Sequence, residues 1–111
     1  MFQEMMLASS GGGTVTHYYA TTIGSTGRVD CGFRPTAILA EAMYGSALSI
    51  IRYDASVSTS TFKQDRGNAA NYGTWPIESS QDLQSIDDTG FNLHPTYFPQ
   101  SGCIAIYAVK D

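Results

Sequence analysis

The chain has few charged residues and no basic cluster. Only 14% of its 111 residues are charged, compared with about 25% in ordinary globular proteins, and the formal net charge is −4. The two lysines, Lys63 and Lys110, and the four arginines are scattered along the sequence. A surface that neutralises nucleic-acid phosphates needs clustered Lys and Arg, so we expect no nucleic-acid partner.

Cysteine pairs at metal-ligand spacing and long apolar runs are also missing. Cys31 and Cys103 belong to no CxxC pair and have no histidine at ligand spacing, so we expect no zinc site and no cofactor. The two cysteines could form a disulfide or remain two buried thiols. No apolar run approaches the roughly 18 residues that span a membrane. Glu4 stands where the apolar part of a secretion signal would begin, so we expect neither membrane insertion nor such a signal.

The sequence shows no arrangement of residues suited to catalysis. Hydrolysis needs a nucleophile beside a base, or two carboxylates facing each other across a cleft. Asp87 and Asp88 are adjacent, and neighbours in an extended chain point to opposite faces. His17 lies in a Tyr-rich stretch and His94 precedes Pro95, positions typical of a strand and a turn. We therefore expect a non-enzymatic protein.

Hydroxyl side chains are abundant, with 12 Ser and 11 Thr. This composition suits strands and turns. A surface so poor in charge has two interpretations. It could be the neutral surface of a soluble monomer, or much of it could be buried against other subunits, where charged residues are depleted. We favour the second interpretation and expect a homo-oligomer.

The first 13 residues have the composition of a tethered apolar arm. Four large apolar residues with helix-like spacing precede the flexible stretch "ASSGGG": Phe2, Met5, Met6 and Leu7. On a free tail these apolar side chains would be exposed to water, which is unfavourable. We therefore expect them to dock on a neighbour. The alternative is that this stretch is an unstructured start of the chain or a remnant of expression. We therefore divide the chain into an anchoring arm, 1–13, and a folded domain, 14–111.

Short β-like stretches separated by Gly, Ser and Pro follow the tether. Their number, roughly six to eight, predicts an all-β protein with a single antiparallel β-sandwich. Although 36–44 has good helix propensity, the Gly45-Ser46 step before 47–54 is typical of a type II′ hairpin, so we predict two strands. Further strands are predicted at 14–22, 28–33, 56–64, taken as an edge or outward-facing strand, and 102–110, taken as central because both its faces are apolar.

The stretch from Asp65 to Asp82 has no sustained period and is predicted to be one long loop. It contains the only tryptophan. Its aromatic residues could cap one end of the sandwich, or they could form a contact surface. In the second case the candidate glycan or partner contacts are Asp65, Arg66, Asn68, Tyr72 and Trp75.

The stretch "DDTGFNL" is predicted to be a hairpin corner. Apolar residues two apart follow a Thr-Gly step, which favours a turn leading into a short strand. We expect Phe91 and Leu93 to enter the core, with Asp87 and Asp88 in water.

Three stretches together carry a resemblance to a known family: "CGFRPTAILAEA", "IDDTGFNLHP" and "GCIAIYAVKD". The "GF-x-P" step into a strand, the later "TGF-x-L" step and the closing strand resemble the H-type-lectin-like sandwich modules of bacteriophage tail and fibre proteins. The resemblance covers about Arg28 to Lys110. It implies a trimer-forming or virion-decorating module, sometimes with a sugar site between strands of neighbouring subunits.

Two functions are therefore expected. The first is a bacteriophage virion structural protein of the tail, fibre or capsid-decoration type, located in the virion, which oligomerises and uses its arm to dock on other virion proteins. The alternative is a lectin-like carbohydrate-binding module that recognises a host-surface glycan.

Overall fold

The computed structural model describes residues 15–44, 47–66, 73–98 and 103–111. These residues form nine strands and no helix, which confirms the all-β prediction. The strands are β1 (Thr16–Ala20), β2 (Arg28–Asp30), β3 (Ala37–Tyr44), β4 (Ala47–Asp54), β5 (Thr61–Arg66), β6 (Gly73–Pro76), β7 (Leu83–Asp87), β8 (Gly90–Leu93) and β9 (Cys103–Lys110).

The strands form two antiparallel sheets. The large sheet has six strands in the order β1-β9-β3-β4-β5-β6, and the small sheet has three in the order β2-β8-β7. One hydrophobic core joins residues of both sheets, for example Ile38, Ile51 and Ile106 of the large sheet with Phe91 and Leu93 of the small one. The architecture is therefore a β-sandwich in which a narrow sheet covers part of a wide one.

Alternation along the strands places one set of side chains in this core. In β3, Ile38, Ala40 and Ala42 are fully buried members of the core cluster. Residues between them point to the other side of the large sheet, because successive side chains of a strand alternate. We call the core-facing side the inner face and the opposite side the outer face.

The predicted hairpin between β3 and β4 is confirmed by its register. Tyr44 pairs with Ala47, and Ala37 at the other end pairs with Asp54. Residues 45–46, on which the turn type depends, lie outside the described residues. The eight paired positions and burial on both sides of the sheet outweigh the helix propensity of this segment.

The prediction for β9 is also confirmed. It pairs with β1 on one side and with β3 on the other. Side chains on both its faces are buried, since Ile106 and Ala108 face the core and Ala105 and Val109 face outward.

Several strand predictions were wrong in extent. Of the stretches predicted at 14–22 and 28–33, only Thr16–Ala20 and Arg28–Asp30 are strand in the described part of the chain, and the strand predicted at 56–64 starts later. Residues 55–60 form a turn and bends, in which Asp54 Oδ1 accepts hydrogen bonds from the backbone N and the hydroxyl of Ser56. The strand begins at Thr61, and it is not an edge strand, because β5 pairs with both β4 and β6.

The predicted loop 65–82 also contains strand. The end of β5 lies in it, and β6 supplies a short edge strand. From the sequence alone, the glycine and proline of "GTWP" favour a turn. Proline is nevertheless tolerated on an edge strand, because it needs no ladder partner there.

The predicted hairpin corner lies between β7 and β8. Phe91 and Leu93 are fully buried, as expected, and Asp88 is almost fully exposed. The expectation that Asp87 lies in water was only partly right. Asp87 is half-exposed and accepts two hydrogen bonds from the Arg28 guanidinium.

Candidate functional site

The outer face of the large sheet carries apolar residues where a water-facing sheet would be polar. Antiparallel sheets with one solvated face normally alternate apolar inward and polar outward. Here six large apolar or aromatic side chains from four adjacent strands share the outer face, and we call this set the outer patch: Tyr19, Leu39, Met43, Leu48, Ile50 and Tyr107.

Strand register holds the outer patch together. Tyr19 pairs with Tyr107, and Tyr107 pairs with Leu39, which gives one continuous row across three strands. Ile50 lies across from Glu41, and Met43 across from Leu48. Tyr19 is 57% exposed and Met43 37%, so the patch is open to a partner at both ends.

The Tyr19 and Tyr107 rings are in direct contact, with centroids 4.8 Å apart and a tilt of 41°. Partial desolvation raises the pKa of Tyr107, and the neighbouring Tyr19 phenol and Glu41 carboxylate raise it further. Because the ordinary pKa of tyrosine is about 10, the Tyr107 phenol is neutral at physiological pH with or without this shift.

Four charged residues also lie on the outer face. Glu41 sits within the patch, between Leu39 and Met43 on β3 and opposite Ile50, whereas Arg52, Lys63 and Asp65 border the patch on β4 and β5. Arg52 pairs with Leu39 on one side and with Lys63 on the other. The Nε atom of Arg52 is buried and has no hydrogen-bond acceptor among the described residues. A buried donor without an acceptor costs about 1–3 kcal/mol, so this atom would gain from an acceptor brought by a partner.

A separate pocket of about 400 Å³ opens between the two sheets. It lies where the turn before β5 approaches β7, and its walls include Arg34, Tyr53, Ser60, Ile77, Gln84 and Ile86. The pocket therefore combines one aromatic ring and two isoleucines with hydroxyl, amide and guanidinium groups.

The polar side chains of this pocket use only part of their hydrogen-bonding capacity. Burial raises the pKa of the Tyr53 hydroxyl, with Arg34 acting in the opposite direction. Arg34 makes one long contact, 3.4 Å from Nη1 to Asp88 Oδ1. Gln84 donates through Nε2 to the Ser79 carbonyl, which leaves its amide oxygen as an acceptor. The pocket therefore offers hydrogen-bond donors and acceptors beside apolar side chains.

The contact residues predicted from the sequence do not all converge. Phe62, in the core, pairs with Trp75 on β6, so Trp75 lies on the inner face at the sheet edge and is 36% exposed. Asp65 pairs with Ile50 and lies on the outer face. Asp65 and Trp75 therefore point to opposite sides of the sheet. Arg66 is the last residue of β5, whereas Asn68 and Tyr72 lie outside the described residues.

The remaining candidates from the sequence are the apolar arm, the cysteines and the histidines. Phe2, Met5, Met6 and Leu7 lie outside the described residues, so arm docking stays a prediction. Cys31 is a free, half-buried thiol whose Sγ lies 3.2 Å from the Phe33 carbonyl oxygen, and burial raises its pKa. His94 organises a turn, in which its Nδ1 accepts from Thr96 N and its carbonyl oxygen accepts from Phe98 N.

The described part of the chain contains no group of three or more His, Cys, Asp or Glu side chains placed to hold a metal ion. Within the same ranges, no helix has the length and apolar character needed to cross a membrane.

Sequence reasoning missed both the outer patch and the inter-sheet pocket. A signal for the patch was present, because "AILAEAMY" and "ALSIIRYD" carry apolar residues at both parities of their strands. The pocket left no such signal, since its walls come from segments that are far apart in sequence. In comparisons with known proteins, no family model, no curated protein and no solved structure matches this chain.

Proposed function

We propose that this chain is a non-enzymatic structural module of a bacteriophage virion, of the tail, fibre or capsid-decoration type, which self-associates through the outer patch. The β-sandwich architecture agrees with the phage-module resemblance of "CGFRPTAILAEA", "IDDTGFNLHP" and "GCIAIYAVKD". The proposed location in the virion rests on this resemblance.

The observation that supports self-association is the apolar, charge-poor outer patch. Interface cores are depleted in charge and enriched in aromatic residues and Met relative to the rest of a surface. The patch supplies two tyrosines and a methionine on one face. At its border, the Nε atom of Arg52 lacks an acceptor among the described residues. We expect a homo-oligomer, with a trimer as the first possibility.

Native mass by light scattering tests the self-association. We expect the wild-type chain to be oligomeric and Met43→Glu to be monomeric, because a carboxylate in the patch would be desolvated on association. Val57→Glu is the matched control, since Val57 is a 73% exposed apolar residue in the turn after β4, away from the patch. A wild-type chain that stays monomeric at high concentration would rule out the self-association.

The virion assignment needs its own experiment. Mass spectrometry of purified particles, released from cells that carry the gene, should detect the chain in several copies per particle. Particles that lack it while the chain accumulates in the cells would refute the assignment.

The second candidate function is carbohydrate binding, and the inter-sheet pocket favours it. Sugar rings present an apolar face and a rim of hydroxyl groups, which matches the half-buried Ile77 and Ile86 beside Gln84 and Ser60. Trp75 adds a partly exposed aromatic ring at the sheet edge. Glycan-array binding tests this, with Gln84→Leu and Trp75→Ala as separate variants. If wild type binds and Gln84→Leu binds equally well, the pocket is not the site.

A further inference from the structure

We propose that the outer patch receives residues 1–7 of a neighbouring copy of this chain, so that copies are joined by exchanged N-terminal arms. The inference rests on the proposed function, because it names what covers the outer patch when the chain self-associates.

The first argument is chemical. Residues 1–7 contain Phe2, Met5, Met6 and Leu7, apolar side chains of the kind that lose most by remaining in water. The outer patch presents Leu39, Met43, Leu48 and Ile50 with two tyrosine rings, and Met is adaptable enough to pack against such a mixed surface. Donor segment and acceptor face are therefore both apolar, and the acceptor face is most exposed at Tyr19 and Met43, whereas Leu39 is buried.

The second argument is electrostatic. Glu4 is the only carboxylate side chain of residues 1–7, and it lies within the apolar cluster. The outer face carries Arg52 and Lys63 together with the carboxylates Glu41 and Asp65, so its charges balance. Arg52 Nε is nevertheless buried without an acceptor among the described residues. A carboxylate carried in with the arm is the acceptor that this nitrogen lacks.

The third argument concerns the direction of the chain, and it favours a neighbour over the same chain. β1 starts at Thr16, which pairs with Lys110, and runs parallel to β3 toward the end of the sheet where Met43 lies. The arm precedes Thr16 in sequence, so it would have to reverse direction to cover its own outer patch. A neighbour placed beyond the Thr16 end of the sheet can receive the arm without that reversal.

Complementation between two full-length variants tests the inference. One variant has a polar arm, with all four apolar arm residues changed to Ser, and keeps an open outer patch. The other carries Met43→Glu and keeps the apolar arm. We expect each alone to be monomeric and the mixture to form a 1:1 complex that grows no further, because only one donor and one acceptor remain. Val57→Glu replaces Met43→Glu as the control and should stay oligomeric alone.

The outcomes separate this inference from the proposed function. If the polar-arm chain is as oligomeric as wild type, the arm is not the occupant, although self-association survives. If both variants are monomeric and their mixture does not associate, arms meet something other than the outer patch, and the inference is again overturned. A monomeric wild type would overturn both proposals.

The proposed Glu4–Arg52 contact provides a second measurement on the same pair. Glu4→Gln in the arm donor should weaken the 1:1 complex about tenfold, the loss expected for one hydrogen bond to a charged group. The same substitution should have no effect when the acceptor already carries Arg52→Gln. An equal loss in both backgrounds would contradict the assignment of Arg52 as the partner.

Discussion

Arg28 and Asp87 form a bidentate ion pair across the small sheet. Arg28 Nη1 lies 2.6 Å from Asp87 Oδ2, and Nη2 lies 3.0 Å from Oδ1. Arg28 belongs to β2 and Asp87 to β7, so the guanidinium crosses β8, where Gly90 has no side chain to obstruct it. Arg28 Nε also donates to Asp30, at 2.9 Å.

This ion pair predicts that the free energy of unfolding falls at acidic pH. The Arg28 guanidinium, followed by the backbone N of Thr89, holds the pKa of Asp87 well below its ordinary value. A lowered folded-state pKa contributes stability that is present above the unfolded value of about 3.9 and is lost as pH falls toward the folded value. We expect Asp87→Asn to destabilise the protein at pH 7 and the difference from wild type to shrink below about pH 4.

Urea unfolding at several pH values measures this. Asp88→Asn is the control, because the Asp88 side chain is 94% exposed and its contact with Arg34 is long. It should leave the free energy of unfolding unchanged at every pH. A constant difference between wild type and Asp87→Asn from pH 7 to pH 3 would contradict the prediction.

A buried hydrogen bond links β5 to the segment before β7. Gln64 Nε2 donates to Asp82 Oδ2 at 2.5 Å, and both residues are buried. Gln64→Leu removes the donor and leaves a buried carboxyl group with one partner fewer, so we expect the free energy of unfolding to fall by about 2 kcal/mol. Gln84→Leu removes an exposed bond to the Ser79 carbonyl and should cost under about 0.5 kcal/mol. If thermal unfolding shows equal losses of stability for the two variants, burial does not determine the contribution of the Gln64 hydrogen bond.

Two glycines with the same backbone conformation should respond differently to Ala. Gly27 has φ 81° and Gly32 has φ 86°, a region that costs other residues about 1–2 kcal/mol. A Cβ at Gly32 meets nothing, whereas one at Gly27 would overlap the Leu93 carbonyl oxygen. We expect Gly32→Ala to lose about 1 kcal/mol and Gly27→Ala about 3 kcal/mol or more, because the backbone must also shift. Chemical denaturation of both variants checks this, and similar losses would mean that the chain relaxes around the new Cβ.

Local patterns in this sequence predict the strands that alternate cleanly but not the arrangement of the sheets. The step "TGFNL" predicts buried Phe91 and Leu93 because apolar residues two apart on a strand share a face. The same reasoning fails for Trp75, since its strand is four residues long and bounded by Gly73 and Pro76. Only pairing with β5 makes that segment a strand, and pairing between distant segments is not encoded in local pattern.

The candidate sites were predicted less well than the fold, for a related reason. The charge-poor composition predicts a covered surface, but it does not say which surface. Tyr19 and Tyr107 are far apart in sequence and become neighbours only through the pairing of β1 with β9. The inter-sheet pocket likewise depends on Tyr53 and Gln84, which line it from different sheets.

The buried hydroxyl group of Ser49 predicts a substitution that raises stability. Ser49 is fully buried on β4 opposite Ala42, and its Oγ has no hydrogen-bond partner among the described residues. An unsatisfied buried polar group costs about 1–3 kcal/mol, and Ala removes it while leaving only a small void. We therefore expect Ser49→Ala to raise the free energy of unfolding by about 1 kcal/mol, measured by urea denaturation. Ser60→Ala, at an exposed position in the bend before β5, should leave it within about 0.5 kcal/mol of wild type. A loss of stability in Ser49→Ala would mean that this hydroxyl has a partner, such as an ordered water, that compensates its burial.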